Sequence, residues 1–329
     1  MRGLFKKAFV GATLIGLFAA AGCSATVDEE TAKSASGYPE KPIEIIVPAG
    51  AGGDTDLNTR IMAKHLEKEL GTSVIVSNVT GAGGTTGTQK VMDSKADGYT
   101  ALAFHNSMLL NNIYGLANYT YSDFKIAGIS VVDRSNTFVT TKDSKFKDIK
   151  SLIEYAKKNP KKVTVATEVG SMTYIQMLQF QQQAGVEFNI VDVGGASDKI
   201  TALLGGRVDI VPTSLGLVKG YLESGDFVSL GVMAEDRLEG APDVHTFKEQ
   251  GIDIVVDKVF YWAFPKDTPD EVIETFSKAM EKAVAQKSYQ EEIKKSWIEP
   301  IYMNTEESNK KLANIEAEYK EVHAASEQK

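Results

Sequence analysis

The stretch IEIIVPAGAGGDTD, residues 43–56, places an apolar strand directly before a glycine-rich loop, and SVIVSNVTGAGGTTG, residues 73–87, repeats the arrangement. Each loop leads into residues with helical spacing, Leu57 to Leu70 after the first and Thr88 to Lys95 after the second. Strand, glycine loop and helix start form a recurring anion-binding geometry. Glycine lets the backbone approach a ligand closely, and the first N–H groups of the next helix lack intrahelical partners and carry the positive end of its dipole. Working outward, Ile43 to Pro48, Val74 to Ser77 and Thr100 to Phe104 read as strands, with Gly71 and the Asp97-Gly98 turn ending the helices between them. Short βα repeats predict an α/β fold with a mainly parallel sheet, whose ligand crevice lies beyond the strands' carboxyl ends.

A second series follows the extended stretch Lys125 to Thr141. It comprises a helix at Ser151 to Lys158, a strand at Val163 to Thr167, a helix at Met172 to Gln183, a strand at Phe188 to Val193, a helix at Asp198 to Leu204, and strands at Val208 to Pro212 and Val228 to Ala234. A β-rich run, Ile252 to Pro265, then leads to two expected terminal helices. The first opens on Thr268, Pro269, Asp270 and Glu271, which has capping-box spacing with proline at the first helical position. If both long extended stretches are crossovers, residues 38–136 and 257–329 form one discontinuous lobe and residues 137–256 a second across a cleft.

Before this body, Arg2, Lys6 and Lys7 precede an apolar run from Ala8 to Ala21, too short for a comfortable membrane span and the right size for a signal-peptide core. It ends at Ala20, Ala21, Gly22 and Cys23, which resembles a lipobox and makes Cys23 the expected lipidation site, with residues 1–22 removed. Cys23 is the only cysteine in 329 residues, which excludes an intramolecular disulfide and cysteine zinc sites. Residues 23–37 have little to bury and read as a flexible tether. The net charge of −8, with Lys and Arg scattered along the body, argues against nucleic acid. An anion bound by a negative body is expected to rely on local dipoles.

Five blocks in order, VPAGAGGDTD, NVTGAGGTTGTQKV, ADGYTALAF, VTVATEVGSMTY and GGASDKITALLGGRVDIVPTS, resemble the receptors of tripartite tricarboxylate transporters, the Bug family. The resemblance spans Tyr38 to nearly the C-terminus. It implies a type II periplasmic-binding fold, in which two βα lobes hinge around a ligand cleft, capture a small carboxylate and deliver it to membrane permease subunits. It also implies a pinch on one carboxylate by both glycine loops, usually without an arginine clamp, carried over here to Ala51, Gly52, Gly53 and Asp54 and to Gly83, Gly84, Thr85 and Thr86. On the facing lobe, Gly170 and Ser171 match one turn of the family and Gly194, Gly195, Ala196 and Ser197 another. Ala49, Tyr174, Asp192 and Val193 depart from the family pattern. Asp54, Glu168 and Asp192 would place acidic groups near an anion: either Asp54 caps its helix and the other two face solvent, or the ligand's far end carries donors.

Enzyme readings find less support. Gly81, Gly83 and Gly87 fit a loose dinucleotide pattern on the wrong strand, and there is neither a phosphate-loop nor a nucleophile-elbow sequence. The four histidines are dispersed without metal-ligand spacing; His65 is expected on a helix surface, whereas His105, at a strand end, is a ligand-contact candidate. The expectation is therefore a monomeric, lipid-anchored, extracytoplasmic receptor without cofactor, metal or catalytic residues. The ligand-binding component of a sensor, or a secreted α/β enzyme, is the alternative.

Overall fold

The first strand, β1 (Ile43–Val47), is an Ile- and Val-rich segment whose apolar residues are buried on both faces, as a central strand requires. The computed structural model describes residues 37–327, so the expected signal peptide, Cys23 and the tether up to Ser36 lie outside the described residues. Helix α1 (Asp54–Leu70) carries Asp54 and Asp56 in its first turn, where negative charge suits the dipole, and ends where Gly71 turns left-handed at φ 66°. Then come β2 (Val74–Asn78), α2 (Thr85–Met92), β3 (Thr100–His105) and α3 (Ser107–Ile113). Long β4 (Phe124–Asp133) passes through only Arg134 and Ser135 to β5 (Asn136–Thr141), which belongs to a different sheet. The middle of the chain contains α4 (Ile149–Lys158), β6 (Thr164–Thr167), α5 (Met172–Ala184), β7 (Asn189–Asp192), α6 (Ala196–Leu204), β8 (Val211–Ser214), α7 (Leu215–Glu223) and β9 (Phe227–Val232). Return strand β10 (Lys258–Pro265) is followed by α8 (Asp270–Ala285), α9 (Lys287–Lys294), β11 (Glu299–Met303) and α10 (Thr305–Glu327).

The larger sheet has six strands in the order β11-β4-β10-β3-β1-β2. Only its β1–β2 and β1–β3 pairs are parallel; β10 runs antiparallel to both β3 and β4, and β11 antiparallel to β4. The expected mainly parallel sheet is thus corrected to a mixed one. The cause is the path of the chain: β4 carries it out of this sheet and β10 brings it back alongside, so the two must point opposite ways. The second part holds an antiparallel β8-β5-β9 sheet and a parallel β6-β7 pair, joined by a bridge between Val165 and Ile210.

One apolar cluster packs α1 and α8 on the larger sheet through Met62, Leu66, Trp262 and Phe276. Another continues from Phe104 and Ile129 to an aromatic trio, Phe138, Phe180 and Phe247, whose ring centroids lie 5.2 to 5.9 Å apart. The C-terminal reading needs correction as well. It contains three helices and β11 rather than two helices, and the capping box is not made. Pro269 takes the cap position without a side-chain bond, because the Thr268 N–H closes a turn on Pro265 O at 3.0 Å and its hydroxyl is left buried without a partner. Among the described residues, no helix is long and apolar enough to cross a membrane.

Candidate functional site

The first loop, between β1 and α1, is held by a side chain that the sequence did not single out. Buried Asp56 accepts the Gly52 N–H at 2.9 Å, Arg60 Nε at 3.0 Å and Asn78 Nδ2 at 2.9 Å, and Asn78 Nδ2 also reaches Ala49 O at 2.9 Å. The Gly52 N–H is therefore directed at Asp56, and Gly52 does not line the cleft described below. Gly53 is the cap residue of α1, and a Cβ built on it would lie 3.7 Å from Ala196 Cβ on the opposite wall. In the second loop, Gly81 and Gly83 take φ of 131° and 64°, conformations that suit glycine. Gly84, Thr85 and Thr86 turn elsewhere. A Cβ on Gly84 would meet Phe104 Cζ at 2.4 Å, and Tyr119 donates to Thr85 O at 3.1 Å.

A cleft of about 320 Å³ opens where these loops face the turns that precede α5 and α6. Of the expected residues, Gly53, Asp54, Gly83, His105, Ser171, Gly195 and Ala196 line it. Ala51, Gly52, Gly84, Thr85, Thr86 and Ser197 do not; among these, Ala51, Gly52, Thr86 and Ser197 are exposed, so they stand at rims or on other surfaces. Residues not anticipated also line it: Asn136 at the start of β5, Thr213 and Ser214 at the end of β8, and two lysines, Lys199 and Lys258. The Thr213 hydroxyl is buried without a partner, a donor left unsatisfied in the cleft wall.

The lysines revise the expectation that local dipoles alone would attract an anion. Lys258, at the start of β10, forms an ion pair and hydrogen bond with Asp54 Oδ2, with side-chain exposures of 10% and 15%. Burial alone would raise the Asp54 carboxyl, but the adjacent Lys258 ammonium outweighs it and holds the group at about 2. Gly53 rather than Asp54 holds the cap position of α1, while Asp54 Oδ1 accepts the Thr55 N–H of its first turn at 2.8 Å. Asp192, by contrast, is exposed and stitches the second wall, accepting the Val169 and Gly194 N–H groups at 3.1 Å each. Burial raises the Glu168 carboxyl, with Lys199 opposing.

His105 accepts the Ser107 N–H on Nδ1 at 3.2 Å. Burial, reinforced by Lys258, pushes its pKa well below the ordinary value. The ring is therefore neutral, with its proton on Nε2, and offers one donor. His65 corrects the surface expectation: it is 1% exposed, bonded through Nδ1 to Gln286 Oε1 at 2.7 Å and packed edge-on against Tyr289. Among the described residues no group of His, Cys, Asp and Glu could hold a metal ion.

Burial pushes Lys199 down to about 8, with Glu168 opposing the shift and Lys258 reinforcing it. The native state then binds fewer protons than the unfolded chain between about 8 and the free-lysine value of about 10.4, so stability should rise with pH across that window and be penalised below it. Urea unfolding from pH 7 to 10.5 checks this: Lys199→Met should remove the corresponding slope, and an unchanged slope would refute the assignment. Sequence carried faint signals for both lysines. Lys199 stands four residues after Gly195, on the same helix face, and Lys258 is the charge directly before the buried run VFYWAF.

A family model described as tripartite tricarboxylate transporter family receptor matches residues 58–325. The protein BugT of Bordetella pertussis is 30% identical over 309 residues, covering 92% of each chain. Among solved structures, the periplasmic binding protein BugD superposes with a TM-score of 0.83 at 29% identity, over 88% of this chain and 98% of that one. The R. palustris protein Rpa4515, solved with adipate, gives 0.84 at 23% identity, over 88% and 98%, a likeness of fold.

Proposed function

Because the chain belongs to the tripartite tricarboxylate transporter receptor family, we propose that it captures a small organic carboxylate in the cleft described above and hands it to the membrane permease subunits of such a transporter. The family is one of extracytoplasmic solute-binding receptors of the periplasmic-binding type, not of enzymes. The observation that carries the ligand class is the convergence, on one cleft of about 320 Å³, of glycine turns at two helix starts, a neutral His105 donor and the Lys199 and Lys258 ammonium groups. Backbone N–H groups and cations of this kind suit carboxylate, each hydrogen bond to a charged acceptor contributing roughly 1.5–3 kcal/mol. The ligand-contacting set in this reading is Gly53, Gly83, His105, Ser171, Gly195, Ala196 and the two lysines.

In the same reading, residues 38–136 with 257–329 move against residues 137–256, hinging at Arg134-Ser135 and at the return into β10. The short crossing and the separation of the sheets support this. A lipid on Cys23 would tether the body to the membrane near its permease. The test is thermal unfolding of the purified protein with mono-, di- and tricarboxylates, aromatic acids and acidic amino acids. A carboxylate at 100 times its Kd should stabilise the folded protein by about 2.7 kcal/mol, and a panel without any shift rejects carboxylate capture.

A further inference from the structure

We propose that Lys199 is the specificity-determining residue of this receptor, reading a second negative charge on the ligand and so favouring dicarboxylates over monocarboxylates of equal length. The inference rests on the carboxylate reading above and adds a residue and a rule to it.

Lys199 lies near the start of α6, 5% exposed, and lines the cleft. Its hydrogen bond among the described residues is to Thr173 Oγ1 at 3.1 Å, and none of their carboxylates forms an ion pair with it within 4.0 Å. Lys258 is held differently, locked to Asp54. A lysine ammonium has three donors, so Lys199 keeps two uncommitted in a place where a charge without a counter-ion is expensive. An anion arriving in the cleft supplies what the wall lacks.

Position makes that anion a second group on the ligand. Gly53, Gly83 and His105 belong to the wall built on the larger sheet, whereas Lys199 and Thr173 come from α6 and α5 on the other. A carboxylate seated against the first wall leaves Lys199 to a group further along the molecule. A ligand charged at both ends contacts both walls, and contact made only when the walls approach is what favours closure. The charged and titratable groups around Lys199 are Glu168 from the turn before α5, Asp192 at the end of β7, Lys258 on β10, Asp54 on α1 and His105 at the end of β3, and Asp198 on α6 lines the same cleft. Glu168 exerts the strongest opposing charge effect on Lys199, yet no ion pair within 4.0 Å joins them. An amino group on the ligand would instead be drawn to Glu168, which gives a contrary outcome for the test.

Calorimetry on the folded protein at pH 7 with hexanoate and adipate, which share chain length and differ by one carboxylate, decides between them. Wild type should bind adipate at least tenfold more tightly. Lys199→Met and Lys199→Gln should each weaken adipate at least tenfold and weaken hexanoate several-fold less than adipate, and so erase the preference, whereas Lys199→Arg should keep part of it. Two neutral variants guard against a single misfolded one, and far-UV circular dichroism verifies folding. Adipate affinity of wild type should also fall as pH rises past about 8, a dependence absent from both neutral variants. A preference that survives in Lys199→Met and Lys199→Gln, an equal loss for both ligands, or tighter binding of a zwitterionic amino acid than of adipate overturns the role of Lys199 while leaving carboxylate capture standing. Failure of wild type to bind any carboxylate overturns both.

Discussion

Lys258→Met should destabilise the protein by about 3–5 kcal/mol, because removing one member of a buried ion pair strands the other. The stranded group is Asp54, whose side chain is 15% exposed and whose carboxyl is held at about 2 although burial alone would raise it. Lys258 also faces Asp133 across the β10–β4 ladder, and that carboxyl is raised by burial and hydrogen-bonded to the Ser135 N–H at 2.7 Å and hydroxyl at 2.6 Å. One ammonium thus answers acidic groups from two elements just where the chain re-enters the larger sheet. Asp54→Asn combined with Lys258→Met should recover much of the loss, since a buried pair replaced as a unit leaves no uncompensated charge. The pH dependence has a definite sign. A carboxylate depressed from about 3.9 in the unfolded chain to about 2 in the native state contributes stability that is present above pH 4 and lost as pH falls towards 2. In Lys258→Met burial should carry the Asp54 carboxyl above its unfolded value, so the variant's deficit is full at pH 7 and shrinks as pH falls through that raised value. Urea unfolding at pH 7 and pH 5 measures both effects. A cost below about 1 kcal/mol, the range of an exposed pair, or additive single-variant losses would contradict the buried-pair account.

Both lysines show what a single sequence withholds. The strand-loop-helix order around β1 and β2 was readable because apolar runs, glycines and helical spacing are local signals. Burial of a lysine is not local. It depends on which elements fold over it, and in isolation a lysine reads as surface. Helix α7 was missed for a related reason: Gly216 and Gly220 lower its helical propensity, yet a Cβ on Gly216 would stand 2.0 Å from Ser296 O, so tertiary packing demands the glycine. In α3, the run SMLLNNI has apolar and buried polar residues with no charged face, so no amphipathic period marks it. Pairing direction in the larger sheet likewise follows from the return of β10, an event more than a hundred residues from β4 in sequence.

The two glycine loops give the sharpest contrast, because equivalent positions in the sequence pattern have unequal duties. Gly84→Val should cost about 2–5 kcal/mol of stability, combining about 1–2 for forcing a non-glycine residue into left-handed backbone with about 1–3 for overpacking. Its φ is 96°, and an added Cβ would meet Phe104 Cζ at 2.4 Å and Pro48 O at 3.1 Å. The clash lies in the core beneath the loop, so the whole domain should feel it. Gly53 has φ −77° and ψ 169°, which valine adopts without strain, and its Cβ would stand 3.3 Å from Gly50 O and 3.7 Å from Ala196 Cβ. Gly53→Val should therefore change stability by no more than about 1 kcal/mol. It should nevertheless weaken carboxylate binding at least tenfold, about 1.4 kcal/mol, by holding the walls apart and covering the start of α1. Urea unfolding and calorimetry on both variants separate packing from recognition. The assignment fails if Gly53→Val binds a confirmed ligand normally, or if Gly84→Val keeps full stability and loses binding, because the ligand would then lie on the other face of the second loop.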